Sequence, residues 1–416
     1  MNPNAGTTST EYSRPHRPWV VRMVNSIGNA ARSAGLGREL DPQQIVDAAC
    51  RRNRLRDYGE EEFLDALAIL VKSVNEEAGL NTTGRFITAQ RIIGVLGNRL
   101  RAQKLFNEHP GILDQKTAPL IIITGLQRTG TTRLHRLLAA DPYTRSLASW
   151  EALNPAPFLP YEPRKPDRRK KIAQRSERAL SFLAPDFFAV HPVEAEAPEE
   201  DSILLDFSFL SPVSEATLRV PSYSSWLEKQ DMAPAYTYFE KLLKLLQWQR
   251  PAGRWVLKTP HHMNCLDIVF RMFPDARVIQ THRDPCVTVA SICSMIAHGR
   301  GVFSDLIDPV EIGIEWSKKQ SCMVNAAKRV RDCGYEDRVL DVFFDELTAD
   351  PMNQVMRIYE FAEMDFTQAA RKAVDMEIKT GVKDRYGSHS YSLKDFGLDA
   401  VTIRGMFAEY CKNYGL

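Results

Sequence analysis

The chain has 416 residues and a formal net charge of +2, with 54 Lys and Arg against 52 Asp and Glu. That length suffices for a large core plus a satellite region. So even a balance argues against a protein whose bulk electrostatics grip nucleic acid. Seven cysteines (Cys50, Cys265, Cys286, Cys293, Cys322, Cys333 and Cys411) are odd in number and scattered, with no closely spaced pair. They read as reduced thiols of a cytoplasmic protein and exclude a disulfide framework or a paired-cysteine zinc site. Neither a signal-peptide core nor an apolar run of membrane-spanning length is expected.

Residues 1–37 form an N-terminal tail. In it Trp19, Val20, Met23, Val24 and Ile27 share one helical face, with Arg14, Arg17, Arg22 and Arg32 nearby. An apolar helical stripe ordinarily packs onto its domain, and that is the expectation. The alternative is a basic amphipathic helix lying on an anionic membrane. Residues 38–117 read as helical, because Leu64, Leu67, Leu70, Val71 and Val74, and then Ile92, Val95 and Leu96, recur at helical spacing. Nothing there carries chemistry.

From residue 118 to 416, β-rich runs at 120–124, 255–257, 278–281 and 339–343 are each followed by a helix-like segment. This predicts an α/β fold: a phosphate-loop-type parallel sheet flanked by helices. An insertion at about 150–250 is rich in aromatics: Phe182, Phe187, Phe188, Phe207, Phe209, Tyr223, Trp226, Tyr236, Tyr238 and Phe239. They suit either the pocket of an apolar acceptor or the core of a helical lid. The basic run 164–171 and the acidic run 194–201 of the insertion read as a solvated, charge-complementary surface, not a nucleic-acid site.

Three elements carry chemistry. In Gly125-Leu126-Gln127-Arg128-Thr129-Gly130-Thr131-Thr132 the glycines are spaced as in an ATP or GTP phosphate loop, but Thr131 replaces the lysine, and a cation sits earlier, at Arg128. Backbone N–H groups and a helix N-terminus can still be aimed at a phosphate. Without the lysine that reaches a γ-phosphate, the donor is expected to be a nucleotide other than an NTP. The second element is Arg283 at the end of a strand, with Pro285 opening a helix and Ser291 two turns along it. An arginine and a hydroxyl facing one point suit a phosphate monoester; alternatively Arg283 pairs with Asp284. The third is Lys258, at a strand's carboxyl end, where open α/β sheets bind ligands; otherwise it is a solvated strand-end lysine.

In order and wording these elements resemble the sulfotransferases that use 3′-phosphoadenosine 5′-phosphosulfate (PAPS). The resemblance rests on Arg128-Thr129-Gly130-Thr131-Thr132 after the first strand, on Arg283 with Ser291, and on Phe344-Asp345-Glu346-Leu347 followed by Asp350-Pro351. It covers about residues 118–365 and more weakly the tail His389-Ser390-Tyr391-Ser392-Leu393. The arginine-type loop and the context of Lys258 look like the bacterial and tyrosylprotein/carbohydrate branches; the phenol-sulfating branch has lysine where Arg128 stands.

The resemblance implies a sulfuryl transfer from PAPS to an acceptor hydroxyl, leaving PAP, with no metal expected. Arg128, Thr129, Gly130, Thr131 and Thr132 would hold the 5′-phosphosulfate, Arg283 and Ser291 the 3′-phosphate, and Lys258 the transferring group. For the base that takes the acceptor's proton it implies Glu151, as in the tyrosylprotein-type branch, with His261 and His262 as rivals. The hydroxylated acceptor is open: a small molecule, lipid or carbohydrate, apolar if the aromatics line its pocket. The rival functions are a phosphate-loop nucleotide kinase or NTP-dependent switch, which needs the missing lysine and a magnesium carboxylate, and a non-catalytic PAPS/PAP-binding protein.

Overall fold

The computed structural model describes residues 12, 15, 17–36, 39–381 and 391–416, so Arg14, His389 and Ser390 lie outside the described residues. Its centre is a five-stranded, wholly parallel sheet in the order β2-β3-β1-β4-β5. The strands are β1 (Leu120–Gly125), β2 (Thr144–Ser146), β3 (Arg254–Lys258), β4 (Arg277–His282) and β5 (Val339–Phe343). The four runs expected from sequence are all strands. The three-residue edge strand β2 was not anticipated.

β1 is buried along its whole length, as a strand covered by helices on both faces must be. Ile121 and Ile123 join Leu134, Leu137, Leu138, Val256, Ile279 and Val342 in one layer. The alternating Leu120 and Ile122 join Trp255, Leu257 and Val278 in the other. That second layer also takes in the N-terminal helices α2 (Pro42–Asn53), α3 (Phe63–Glu77) and α4 (Thr82–Glu108), through Ala49, Leu67, Leu70, Leu96 and Leu100.

The insertion is helical, and seven of the ten aromatics named above are buried: Phe188, Phe207, Phe209, Tyr223, Tyr236, Tyr238 and Phe239. They form core, not an open pocket. Its basic and acidic runs do meet, through Lys170 with Glu196 at 3.8 Å.

Two expectations are corrected. The helix Pro285–Phe303 is long and apolar enough to cross a membrane, though 72% of that stretch is buried inside the fold. The N-terminal helix α1 (Trp19–Ser33) does not pack its apolar stripe onto the domain: Trp19, Val20, Met23, Val24 and Ile27 are all exposed.

Candidate active site at the carboxyl rim of the sheet

The chain leaves β1 for the edge on one side and later fills the other, so β1 marks the switch point, where a crevice opens at the carboxyl ends of the strands. Register brings the sequence-predicted residues to that rim: Ile123 pairs with Lys258 on one side of β1, and Gly125 with Thr281 on the other. His282 in turn pairs with Phe343, so Arg283 and Phe344 leave the sheet together.

The loop is fixed from below. Gly125 has φ 140°, and a Cβ there would lie 2.6 Å from the backbone oxygen of Thr281, so no side chain fits. Gly130 has φ 92° and precedes the helix Thr131–Ala139. The Thr129 hydroxyl lies 2.5 Å from both the Leu126 carbonyl and the Thr281 hydroxyl. It therefore pins the loop to β4, and only its backbone N–H is left for a ligand. Arg128 is exposed and holds φ 67°, a conformation costly for a residue with a Cβ and typical of functional loops.

Arg283 Nη1 donates to the Arg128 carbonyl at 2.9 Å, and its guanidinium lies 3.7 Å from the centre of the Phe344 ring. The two motifs are thus physically joined. Arg283 does not pair with Asp284, which instead caps the next helix at Cys286 N and binds Arg404 at 2.8 Å. Burial lowers the pKa of Arg283, opposed chiefly by the charge of Tyr391. Ser291 is buried on the helix that follows.

Lys258 is no solvated lysine: it is 4% exposed, and its Nζ is 2.6 Å from Glu200 Oε1. Glu200 Oε2 also approaches the Thr259 hydroxyl, at 3.5 Å. Burial pushes the Glu200 pKa up, but the Lys258 ammonium, and then His191, more than reverse this and hold it below the ordinary value. Sequence reasoning missed Glu200, taking it as part of a solvated acidic run. It reaches the rim because Ala148 bridges Pro198, Glu199 N–H donates to the Leu147 carbonyl, and Asp201 N–H donates to the Lys258 carbonyl.

The three bases expected from sequence are placed as follows. Glu151 is 2% exposed. One oxygen takes Arg145 at 2.9 Å; the other takes Arg250 at 3.1 Å and the Ala148 N–H at 3.2 Å. His262 is fully buried, with Nε2 3.0 Å from Asp201 and Nδ1 2.7 Å from the Tyr236 hydroxyl. Burial, with His262 adjacent, pushes the His261 pKa down to about 3.

A second buried cluster supports the rim from the side of β5. His282 lies between the Tyr410 hydroxyl at 3.1 Å and Asp341 at 2.7 Å, and Arg331 binds Asp341 through both Nη1 and Nη2. Burial raises the Asp341 pKa, but the Arg331 and His282 hydrogen bonds outweigh it and hold the group at about 2. A carboxyl depressed in the fold contributes stability above its unfolded value of about 3.9 and loses it below. Asp341→Asn is thus expected to lower the midpoint of urea unfolding at pH 7, with the deficit shrinking as pH falls from about 4 towards 2. A deficit constant across that range would exclude Asp341 as its source.

With this geometry in view, the chain compares with known proteins as follows. A family model described as Sulfotransferase family matches residues 119–368. The chain belongs to the sulfotransferase family. It is 30% identical in sequence to the crystal structure of the sulfotransferase STF1 from Mycobacterium tuberculosis H37Rv, with a TM-score of 0.78 over 89% of this chain and 99% of that one. For STF9 from Mycobacterium avium the identity is 27% and the TM-score 0.81, over 89% and 96%. Curated relatives named omega-hydroxy-beta-dihydromenaquinone-9 sulfotransferase Stf3, from Mycobacterium bovis and Mycobacterium tuberculosis, are 27% identical over 259 residues. That match spans 58% of this chain and 62% of theirs. The enzyme class expected from the motifs is therefore that of a bacterial sulfotransferase.

Proposed function

We propose that this sulfotransferase moves a sulfuryl group from PAPS to a hydroxyl of an apolar, lipid-like acceptor. The observation that carries the donor is the 2.9 Å hydrogen bond from Arg283 to the Arg128 carbonyl. It joins a phosphate loop without the NTP lysine to a second cationic site, as a donor with phosphates at both ends requires. The rim suits such a donor: a glycine with no room for a side chain, a helix N-terminus, an exposed Arg128 and an Arg283 free of Asp284. The acceptor class is supported by the relatives named for a hydroxylated menaquinone; the insertion's aromatics, being core, lend it no support. Small-molecule and carbohydrate hydroxyls are the other acceptors the reaction would admit.

When bound, PAPS supplies the sulfuryl group and a leaving group, PAP. The loop N–H groups, Arg128, Thr131 and Thr132 would orient the 5′-phosphosulfate, and Arg283 and Ser291 the 3′-phosphate. Lys258 would balance the charge that grows on the leaving oxygen. The base is better assigned to Glu200 than to Glu151, His261 or His262. Each ring nitrogen of His262 and each oxygen of Glu151 is already engaged, and a histidine with a pKa near 3 is a weak base. Glu200 is ionised beside Lys258, and its side chain is 26% exposed. As Lys258 turns to the leaving oxygen, Glu200 would lose its partner and gain proton affinity, in time to take the acceptor's proton.

The donor is tested by melting. PAP should raise the melting temperature without magnesium, and ATP with magnesium should not. The reverse result would favour a nucleotide kinase, and a PAP shift with no labelled transfer to any acceptor would favour a binding protein. Glu151→Gln is expected to lower stability by roughly 1–3 kcal/mol, since Arg145 stays buried with a weaker partner, and to leave turnover per folded molecule within a few-fold. Turnover lost without loss of stability would return the base to Glu151.

A further inference from the structure

Helix α1 is amphipathic the wrong way round for a core helix. Its inward face is small and polar. Asn25 Oδ1 accepts from the Thr83 N–H at 2.9 Å and from its hydroxyl at 2.8 Å, and Arg32 donates to the Leu80 carbonyl at 2.8 Å. Gly28 lies so close to Thr82 that a Cβ would meet its hydroxyl at 2.0 Å. Just before the helix, Arg17 pairs with Asp305 and donates to the Ser304 carbonyl at 2.7 Å. These contacts hold one orientation, and it turns the apolar stripe to solvent. Trp19 is 66% exposed and Ile27 64%, with Val20, Met23 and Val24 between them. At 100° per residue Trp19, Met23 and Ile27 fall opposite Val21, Asn25 and Gly28. Phe86 on α4 and Leu306 beside Asp305, on the elements that α1 docks against, are exposed as well.

We propose that this outward face of α1 docks the enzyme on an anionic lipid surface. Contiguous exposed apolar stripes of this kind mark interaction sites. The occupant follows from shape and charge. Five side chains on one convex helix offer on the order of a few hundred Å², short of the roughly 800 Å² per partner of a stable protein interface. A helix lying in the headgroup layer needs no more than such a stripe. Arg22 is exposed on the same helix, and residues 12–38 hold no acidic residue, so the segment complements anionic headgroups. Trp19 stands at the start of the stripe, the kind of side chain that settles at a lipid–water boundary. The inference is independent of which acceptor the rim takes.

The test is co-sedimentation of the full-length protein with vesicles of equal parts phosphatidylcholine and phosphatidylglycerol. The wild type should pellet with them, more weakly as salt rises. A Met23→Glu/Ile27→Glu variant should partition on the order of a hundredfold less, with its PAP-dependent melting unchanged. Because both side chains are exposed, the variant should fold. A wild type that stays in the supernatant, or a variant that pellets equally well, would overturn the proposal. So would sedimentation equilibrium showing a wild-type dimer that the variant loses, with no vesicle binding.

Discussion

Glu200→Gln should lower kcat by roughly 10²–10⁴-fold, the usual cost of removing a general base, while PAP binds nearly as before. The substitution keeps the shape and one acceptor oxygen beside Lys258 and removes the proton affinity. The pH profile separates a base from a mere anchor for Lys258. In the free enzyme the carboxyl is held below its ordinary value, with Lys258 the chief group lowering it, so the acid limb of kcat/KM should fall below about pH 4.3. If Lys258 moves to the leaving oxygen in the ternary complex, the acid limb of kcat should lie at higher pH than that of kcat/KM. Activity in both is lost as pH falls, because a base must be unprotonated. Glu200→Gln should erase the limb, and Glu200→Asp should restore part of the rate with the limb intact. If the limb survives in Glu200→Gln, and that variant loses no more than Lys258→Ala does, Glu200 only positions the lysine.

What could be read from the sequence, and what could not, divides by the range of the interaction. The four longer strands and the loop are local patterns: an apolar run, then glycines at fixed offsets, then a helical period. β2 has three residues, too few for any period to register. The side-chain roles depend on distant partners. Glu151 follows the loop's helix in sequence, but its two oxygens are taken by Arg145, six residues back, and by Arg250, ninety-nine residues on. Glu200 is one acid among several in its run, and the bridge between Ala148 and Pro198, with the flanking backbone hydrogen bonds of Glu199 and Asp201, brings it to Lys258. Helix α1 makes the point most simply. Periodicity establishes that an apolar face exists, but its direction is set by Asn25, Gly28 and Arg32 meeting α4 and the turn before it, which no local period encodes.

Arg283→Ala should weaken PAP by roughly 2–4 kcal/mol, a loss of about thirtyfold to a thousandfold, the range for removing a charge-assisted contact to a phosphate. Arg283 is prepared for that contact before any ligand arrives. Its guanidinium lies against Phe344 and one nitrogen binds the Arg128 carbonyl, so few rotamers are lost on binding. The same hydrogen bond predicts a second effect. Without Arg283 the Arg128 carbonyl loses its donor, and a loop residue already held at φ 67° loses the contact that opposes its relaxation. Arg283→Ala should therefore cost turnover as well as affinity, at saturating donor. Arg128→Ala should do the opposite: it should lower turnover far more than it weakens PAP, which lacks the sulfuryl group and cannot report a contact made in the transition state. Arg283→Lys should recover charge but neither the stacking nor the fixed donor to the loop, and so regain affinity only in part. Calorimetry showing PAP affinity unchanged in Arg283→Ala would remove this arginine from the donor site and with it the pairing of motifs on which the proposed donor rests.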